Sequence, residues 1–355
     1  MKVPLIEFVA LGLVCALGVH FTLMLAVKRA LFDEPNERSS HRVPVPRMGG
    51  SAFIPPVLIY LSVAWSAGLM DGRVTLVFIT AAGGLYVLGV LDDFLSLRAA
   101  PRLLIQFVCV SAVIAMIGAT RPWATSTDGT MGIGLVATIC VVGILNIYNF
   151  MDGIDGIAGV QAVVAGAAWT CIAYSLSLSA TAVLGGAVTA GAAGFLLLNW
   201  PPARIFMGDA GSTVLGYMIG ILPFFAWVEQ KDTLSLGTAT FCGALVMWPF
   251  LADGASTILR RMRRRENVFT AHRSHLYQRL VIAGRSHQAV TLTYGALAVI
   301  GGILAWCVAK QLPFATPAAI ATVALLFAAL LRFTVACEAQ AAALRRQKER
   351  DSETA

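Results

Sequence analysis

The sequence predicts an all-α polytopic membrane protein with about 11 transmembrane helices, and three observations carry that prediction. Of 355 residues, 58% are apolar and only 13% are charged, with a mean hydropathy of +0.77. Soluble domains carry about 25% charged residues, and half that density cannot cover a water-facing exterior. The apolar residues also fall into runs of about 17 to 25, the length a bilayer requires of a helix. No stretch alternates as a membrane β-barrel strand does. The same composition excludes a disordered chain, and 7 cysteines in this length exclude a disulfide scaffold.

In order along the chain, the runs are 4–27, 49–68, 74–91, 102–119, 131–148, 157–176, 180–198, 212–228, 236–258, 289–308 and 315–337. The first exceeds the roughly 7 to 15 residues of a signal-peptide core and is followed by further spans, so it is expected to be an uncleaved helix. Asp92 and Asp93 end the third run, Asp152 and Asp155 follow the fifth, and Asp209 precedes the eighth. Asp253 falls in the last turns of the ninth. The longest inner loop is 259–288, and 338–355 reads as a cytosolic tail. There is no internal repeat and no linker, so residues 1–355 form one integral membrane domain.

The basic residues orient this domain. With the amino terminus outside, five of the 26 Lys and Arg (Lys2, Arg73, Arg121, Lys231, Lys310) lie on the outer side, and the other 21 lie inside or, for Arg332, at an inner helix end. Basic loops stay on the cytosolic side. The net charge of +7 thus reflects topology, and no nucleic-acid partner is expected. The seven cysteines lie within spans at no metal-like spacing, where apolar packing is their role.

On this topology the acids Asp92, Asp93, Asp152, Asp155, Asp209 and Asp253 all reach the inner face. Carboxylates at span ends are costly unless solvated, paired or bound to a cation. Gly89-Val90-Leu91-Asp92-Asp93 leads to Arg98 and Arg102, setting adjacent carboxylates near guanidinium groups. Asn146-Ile147-Tyr148-Asn149-Phe150-Met151-Asp152-Gly153-Ile154-Asp155-Gly156 offers amide and carboxylate oxygens, hard ligands for Mg²⁺, beside glycines that admit a ligand to the backbone. Gly208-Asp209-Ala210-Gly211-Ser212 opens a helix, where free N–H groups favour a phosphate. Asp209 is either the acid beside that phosphate or a plain N-cap. The run Arg260 to Arg265 is a topology anchor beside anionic lipid. His272-Arg273-Ser274-His275 suits phosphate or sugar, and no Cys or further His accompanies it at zinc spacing. His41 and Arg47 lie in a proline-stiffened inner loop, Ser39 to Gly50, that runs straight into a span.

These five segments resemble the polyprenyl-phosphate N-acetylhexosamine-1-phosphate transferases: Ser39 to Gly50, Asp92-Asp93 with Arg98 and Arg102, Asn146 to Gly159, Gly208 to Gly216, and His272 to Arg279. They occur in the family's order across residues 39–279. The resemblance implies ten or eleven spans in the bacterial inner membrane, with a cytosolic-face cleft, a periplasmic amino terminus and a cytosolic carboxyl terminus. It implies transfer of N-acetylhexosamine-1-phosphate from a UDP-sugar to undecaprenyl phosphate, with release of UMP. It further implies Mg²⁺, for which Mn²⁺ could substitute, held by Asp209 and Asn149. Asp92 and Asp93 would act on the lipid phosphate, and Asp155 would contact the uracil with Asp152 in the same pocket. Arg102 would meet the pyrophosphate, while His272, Arg273 and His275 would close over the donor. Asn146, His41 and Arg47 join the substrate-binding set, and a homodimer is compatible with such a chain.

Such chemistry is phosphoryl transfer between anions, which needs charge neutralisation and in-line positioning. A phosphomonoester has a second pKa of about 6 and needs little help from a base, which favours direct displacement over an aspartyl-phosphate intermediate. The His-Arg-Ser-His segment lacks the three consecutive histidines of the muramoyl-pentapeptide enzymes. It looks closer to the enzymes that initiate O-antigen or other surface polysaccharides, lipopolysaccharide included. The alternative class is an ion-coupled transporter or flippase, which places its acids near the midplane of repeated halves. Here the acids sit at one face and the halves are dissimilar.

Overall fold

Inside hydrocarbon every backbone N–H and C=O must be paired within its own segment, and the apolar runs accordingly form helices. The computed structural model describes residues 4–29, 31–33, 44–70, 72–123, 127–230, 234–267 and 273–353. Helices α1 (Leu5–Lys28), α2 (Gly49–Ser66), α3 (Gly72–Leu95), α4 (Ala99–Thr120) and α5 (Thr127–Met151) are followed by α6 (Ile157–Leu176), α7 (Ser179–Asn199) and α8 (Asp209–Glu229). Then come α9 (Leu236–Val246), α10 (Trp248–Arg263), the short α11 (Leu276–Ile282), α12 (His287–Ala309) and α13 (Ala315–Glu353). Ten helices among the described residues are long and apolar enough to cross a membrane, and α9 with α10 makes eleven if the bent pair is one span.

That pair corrects the expected single ninth helix over 236–258. The chain turns by 81° between α9 and α10. Pro249 in the first turn of α10 has no N–H to offer the preceding turn, and its ring clashes with the carbonyl four residues back. Asp253 therefore lies beyond the bend. Helix α13 continues unbroken into the expected tail as far as Glu353.

Helix α8 is the axis of the bundle. Every residue from Ala210 to Trp227 is buried, against α2, α3, α5, α7 and α9 among others. Small residues allow that enclosure. A Cβ on Gly50 of α2 would lie 2.2 Å from the Gly211 nitrogen, and one on Gly89 of α3 would lie 2.5 Å from the Ala210 Cα. In membranes, where apolar transfer does not drive helices together, such close backbone packing does. At the periphery, Ile6, Leu13, Leu17 and Phe21 of α1 are exposed, as befits a lipid-facing helix.

A two-residue antiparallel ribbon, β1 (Phe32–Asp33) with β2 (Val45–Pro46), precedes α2. From there the chain runs beside the segment before α8. The Phe206 N–H donates to the Pro46 carbonyl at 2.8 Å, and the Gly49 and Gly50 N–H groups donate to the Phe206 and Met207 carbonyls at 2.8 and 2.7 Å. This pairing sets Arg47 over the start of α8.

Candidate active site

The C-terminal ends of α3 and α5 and the N-terminal ends of α4 and α8 meet at one end of the bundle. Asp92 and Asp93 come from the last turn of α3, and Asn149 from the last turn of α5. Arg102 comes from the first turn of α4, and Asp209 is the first residue of α8. The structure thus brings together residues more than a hundred positions apart.

The two adjacent carboxylates are held differently. Asp92 is paired with the Arg102 guanidinium and accepts the Leu97 N–H at 2.8 Å. Asp93 accepts the N–H groups of Asp209 at 2.8 Å and Ala210 at 3.2 Å, and its Oδ1 lies 3.2 Å from Arg47 Nε. Asp93 therefore caps α8, where a carboxylate also meets the positive end of the helix dipole. Gly208, at φ +76°, makes room for it: a Cβ there would sit 2.7 Å from Asp93 Oδ2. The free N–H groups expected at this helix start are engaged, since Gly211 and Ser212 also donate, to the Gly208 carbonyl. The anion occupying that position is the chain's own Asp93, and Asp209 is not the N-cap.

Asp209 is left to face the pocket. Its Oδ1 accepts from Asn149 Nδ2 at 3.1 Å, and its Oδ2 lies 3.7 Å from Arg47 and 3.8 Å from Arg102. Asn149 also donates to Thr213 Oγ1 at 3.4 Å. Asp152 follows α5 directly. Desolvation by burial, reinforced by the negative charges of Asp209 and Asp93 against the opposing pull of Arg47, pushes its carboxyl up to about 7. With Asp92 and Asp93 matched by Arg102 and Arg47, the remaining negative charge belongs to Asp209 and, when ionised, Asp152. That surplus beside two guanidinium groups is suited to a phosphate-bearing ligand that arrives with a cation.

Among the described residues, no three His, Cys, Asp or Glu side chains form a metal cage. Mg²⁺ does not require one, because it is commonly held by one or two carboxylates and completes its shell with phosphates and water. Asp209, with the amide oxygen of Asn149 after a side-chain flip, fits that donor set.

Other expected residues lie at the same end with different partners. Asn146 sits one turn deeper than Asn149 and donates to Gln106 Oε1 and the Val142 carbonyl, both at 2.8 Å. Asp155 turns toward α12: its Oδ2 accepts the Ala203 N–H at 3.1 Å and its Oδ1 lies 3.2 Å from His287 Nδ1. His275 is buried, with Nδ1 3.0 Å from Asp253 Oδ1, and Arg273 lies within electrostatic reach of Tyr277. His41 and His272 fall outside the described residues.

Some residues of this end gave no signal in the sequence. Buried Asn199 ties the Gly156 N–H (2.9 Å) to the Ile205 carbonyl (2.9 Å), joining two motif segments. Tyr277 reaches the Phe150 carbonyl at 3.1 Å. Glu338 of α13 takes Arg279 in a two-point pair at 2.7 and 2.6 Å. Only the run of motif glycines and a lone Asn before Trp200-Pro201-Pro202 could have hinted at the first; nothing local hints at Glu338.

The profile of glycosyl transferase family 4 matches residues 75–226, which contain Asp92, Asp93, Arg102, Asn149, Asp152 and Asp209. Over this segment the chain is similar to glycosyl transferase family 4. Similar proteins include a probable undecaprenyl-phosphate N-acetylglucosaminyl 1-phosphate transferase of Bacillus subtilis (strain 168), 29% identical over 79% of this chain and 78% of the relative. The decaprenyl-phosphate N-acetylglucosaminephosphotransferase of Mycobacterium tuberculosis (strain H37Rv) is 27% identical over 82% and 80% of the two chains. A phospho-N-acetylmuramoyl-pentapeptide-transferase of Listeria innocua is 28% identical over 82% and 92%. The matched segment thus holds most of the acids at this end of the bundle but not Arg47, Asp253 or α11.

Proposed function

We propose that this chain transfers N-acetylhexosamine-1-phosphate from a UDP-sugar to undecaprenyl phosphate, releasing UMP and starting a surface polysaccharide of the O-antigen type. The observation that carries this reading is the meeting of Asp92, Asp93, Asp209, Asn149, Arg47 and Arg102 at one end of the helices. Polyprenyl-phosphate sugar-phosphate transferases among its relatives support it. A lipid phosphate and a water-soluble nucleotide sugar can both reach such a membrane-edge pocket.

Arg47 and Arg102 neutralise the phosphates as they approach each other, which is the main requirement of the reaction. Asp92, tied to Arg102 and the Leu97 N–H, orients that guanidinium, consistent with direct displacement by a lipid phosphate that needs little deprotonation. Asp93 keeps the start of α8 in place, and Asp209 projects from it. Asp209 and Asn149 would hold Mg²⁺, which supplies charge neutralisation at the pyrophosphate. The excess of basic residues in the inner loops supports a cytosolic pocket and a periplasmic amino terminus.

The test is UMP release by the purified protein with undecaprenyl phosphate, Mg²⁺ and a panel of UDP-N-acetylhexosamines. Release with one donor, dependent on lipid and stopped by chelator, is the expected result. Asp209→Asn should lower turnover by at least about a hundredfold, the scale of removing one preorganised electrostatic group. Silence with every donor while a known family enzyme works alongside would overturn the reading.

A further inference from the structure

Asp253 is fully enclosed, and five donors converge on its one carboxylate. His275 Nδ1 lies 3.0 Å from Oδ1, which also accepts the Leu276 N–H at 2.9 Å and the Thr257 hydroxyl at 3.2 Å. Oδ2 accepts the Tyr277 N–H at 3.1 Å and the Tyr294 hydroxyl at 2.6 Å. These donors come from α10, from α11 with the residue before it, and from α12. A carboxylate has about four lone-pair positions, so this one is saturated. A buried anion is tolerable only when paired so completely.

Helix α11 depends on it. A helix of 7 residues is too short to hold itself, and Asp253 takes its first two N–H groups. From α11 the order passes to the acidic pocket. The His275 and Tyr277 rings stack at 5.7 Å, and the Tyr277 hydroxyl donates to the Phe150 carbonyl at 3.1 Å. Gly153 admits that hydroxyl, since a Cβ there would lie 2.1 Å from it. Between Phe150 and Gly153 stands Asp152.

We propose that Asp253 is a positioning residue for the donor side of the site, pinning His275 to Tyr277 and, through the Tyr277 hydroxyl, the Phe150–Gly153 turn that carries Asp152. Asp253 does not itself touch substrate. This inference rests on the proposed transferase reading for its kinetic arm and on geometry alone for its structural arm.

The experiment compares wild type, Asp253→Asn and Tyr277→Phe by hydrogen exchange without substrate and by steady-state kinetics. An Asn presents an amide NH₂ to donors that need an acceptor. The amides of Leu276 and Tyr277 should then exchange at least about tenfold faster, as a locally opened segment does. The KM for the UDP-sugar should rise at least about fivefold while that for undecaprenyl phosphate stays within about twofold, because a slackened loop misplaces one substrate only. Tyr277→Phe should raise the donor KM without accelerating exchange in α11, since it cuts only the link to Phe150. If Asp253→Asn is not recovered folded, Tyr294→Phe removes a single donor and should show the same exchange and KM pattern at smaller amplitude. Unchanged exchange overturns the anchor. Faster exchange with an unchanged donor KM, or with both KM values raised equally, overturns the positioning role. A wild-type protein that transfers no sugar phosphate overturns the transferase reading instead, and the exchange arm still decides the anchor.

Discussion

Within the acidic pocket, neighbouring carboxylates have separate tasks because each meets different donors. Asp92 and Asp93 are adjacent in sequence, yet one holds a guanidinium and the other a helix start. Asp152 is the carboxyl with surplus cost. Its ordinary value is 3.8, and burial with the charges of Asp209 and Asp93 pushes it up to about 7. Between those values the folded protein keeps a proton that the unfolded chain has lost, so stability falls as pH rises from about 4 to about 7. In chelator, the melting temperature in detergent should therefore decline from pH 5 to pH 8, and Asp152→Asn should flatten the decline. A variant with an unaltered slope would show that Asp152 titrates normally.

At the scale of elements, the site is held by helices that approach one another without side chains between them. Gly50→Val would drive its branches into the Gly211 backbone of α8, where even a Cβ lies 2.2 Å from nitrogen. Overpacking of this kind costs about 1–3 kcal/mol or more, and here it would also lift Arg47 from Asp93 and Asp209. A lowered melting temperature with lost turnover is the expected outcome. Gly83→Ala in α3, whose new Cβ meets nothing within 4 Å, should leave both unchanged. The expected helices were legible in apolar run length, and Pro249, which accompanies the unexpected bend in the ninth, was itself visible in the sequence. Its consequence was not: only the packed structure shows Asp253 turning from the expected group of inner-face acids toward α11 and α12.

For the molecule as a whole, one end of the bundle carries the charged chemistry and the rest meets lipid or its own core. Carboxylates gathered there without a cation oppose folding, so a ligand that brings Mg²⁺ should stabilise the native state by linkage. Mg²⁺ with UMP at about a hundred times their dissociation constant should contribute about 2.7 kcal/mol. The melting temperature should rise with both present and far less with either alone. No shift at millimolar concentrations would count against a preformed cation–nucleotide pocket.

Composition and apolar run length by themselves determined that this chain is a helical membrane protein, because the bilayer imposes a length and a backbone-pairing rule that any spanning sequence must obey. The motif residues also marked the end of the bundle that carries the acids. What each acid does there was decided by tertiary structure. Asp93 rather than Asp209 caps α8, Asp155 turns to His287, and Asp253 holds α11, because a carboxylate's role depends on which donors the fold brings within about 3 Å of it. Those donors come from helices far apart in the chain, and no local spacing encodes their meeting.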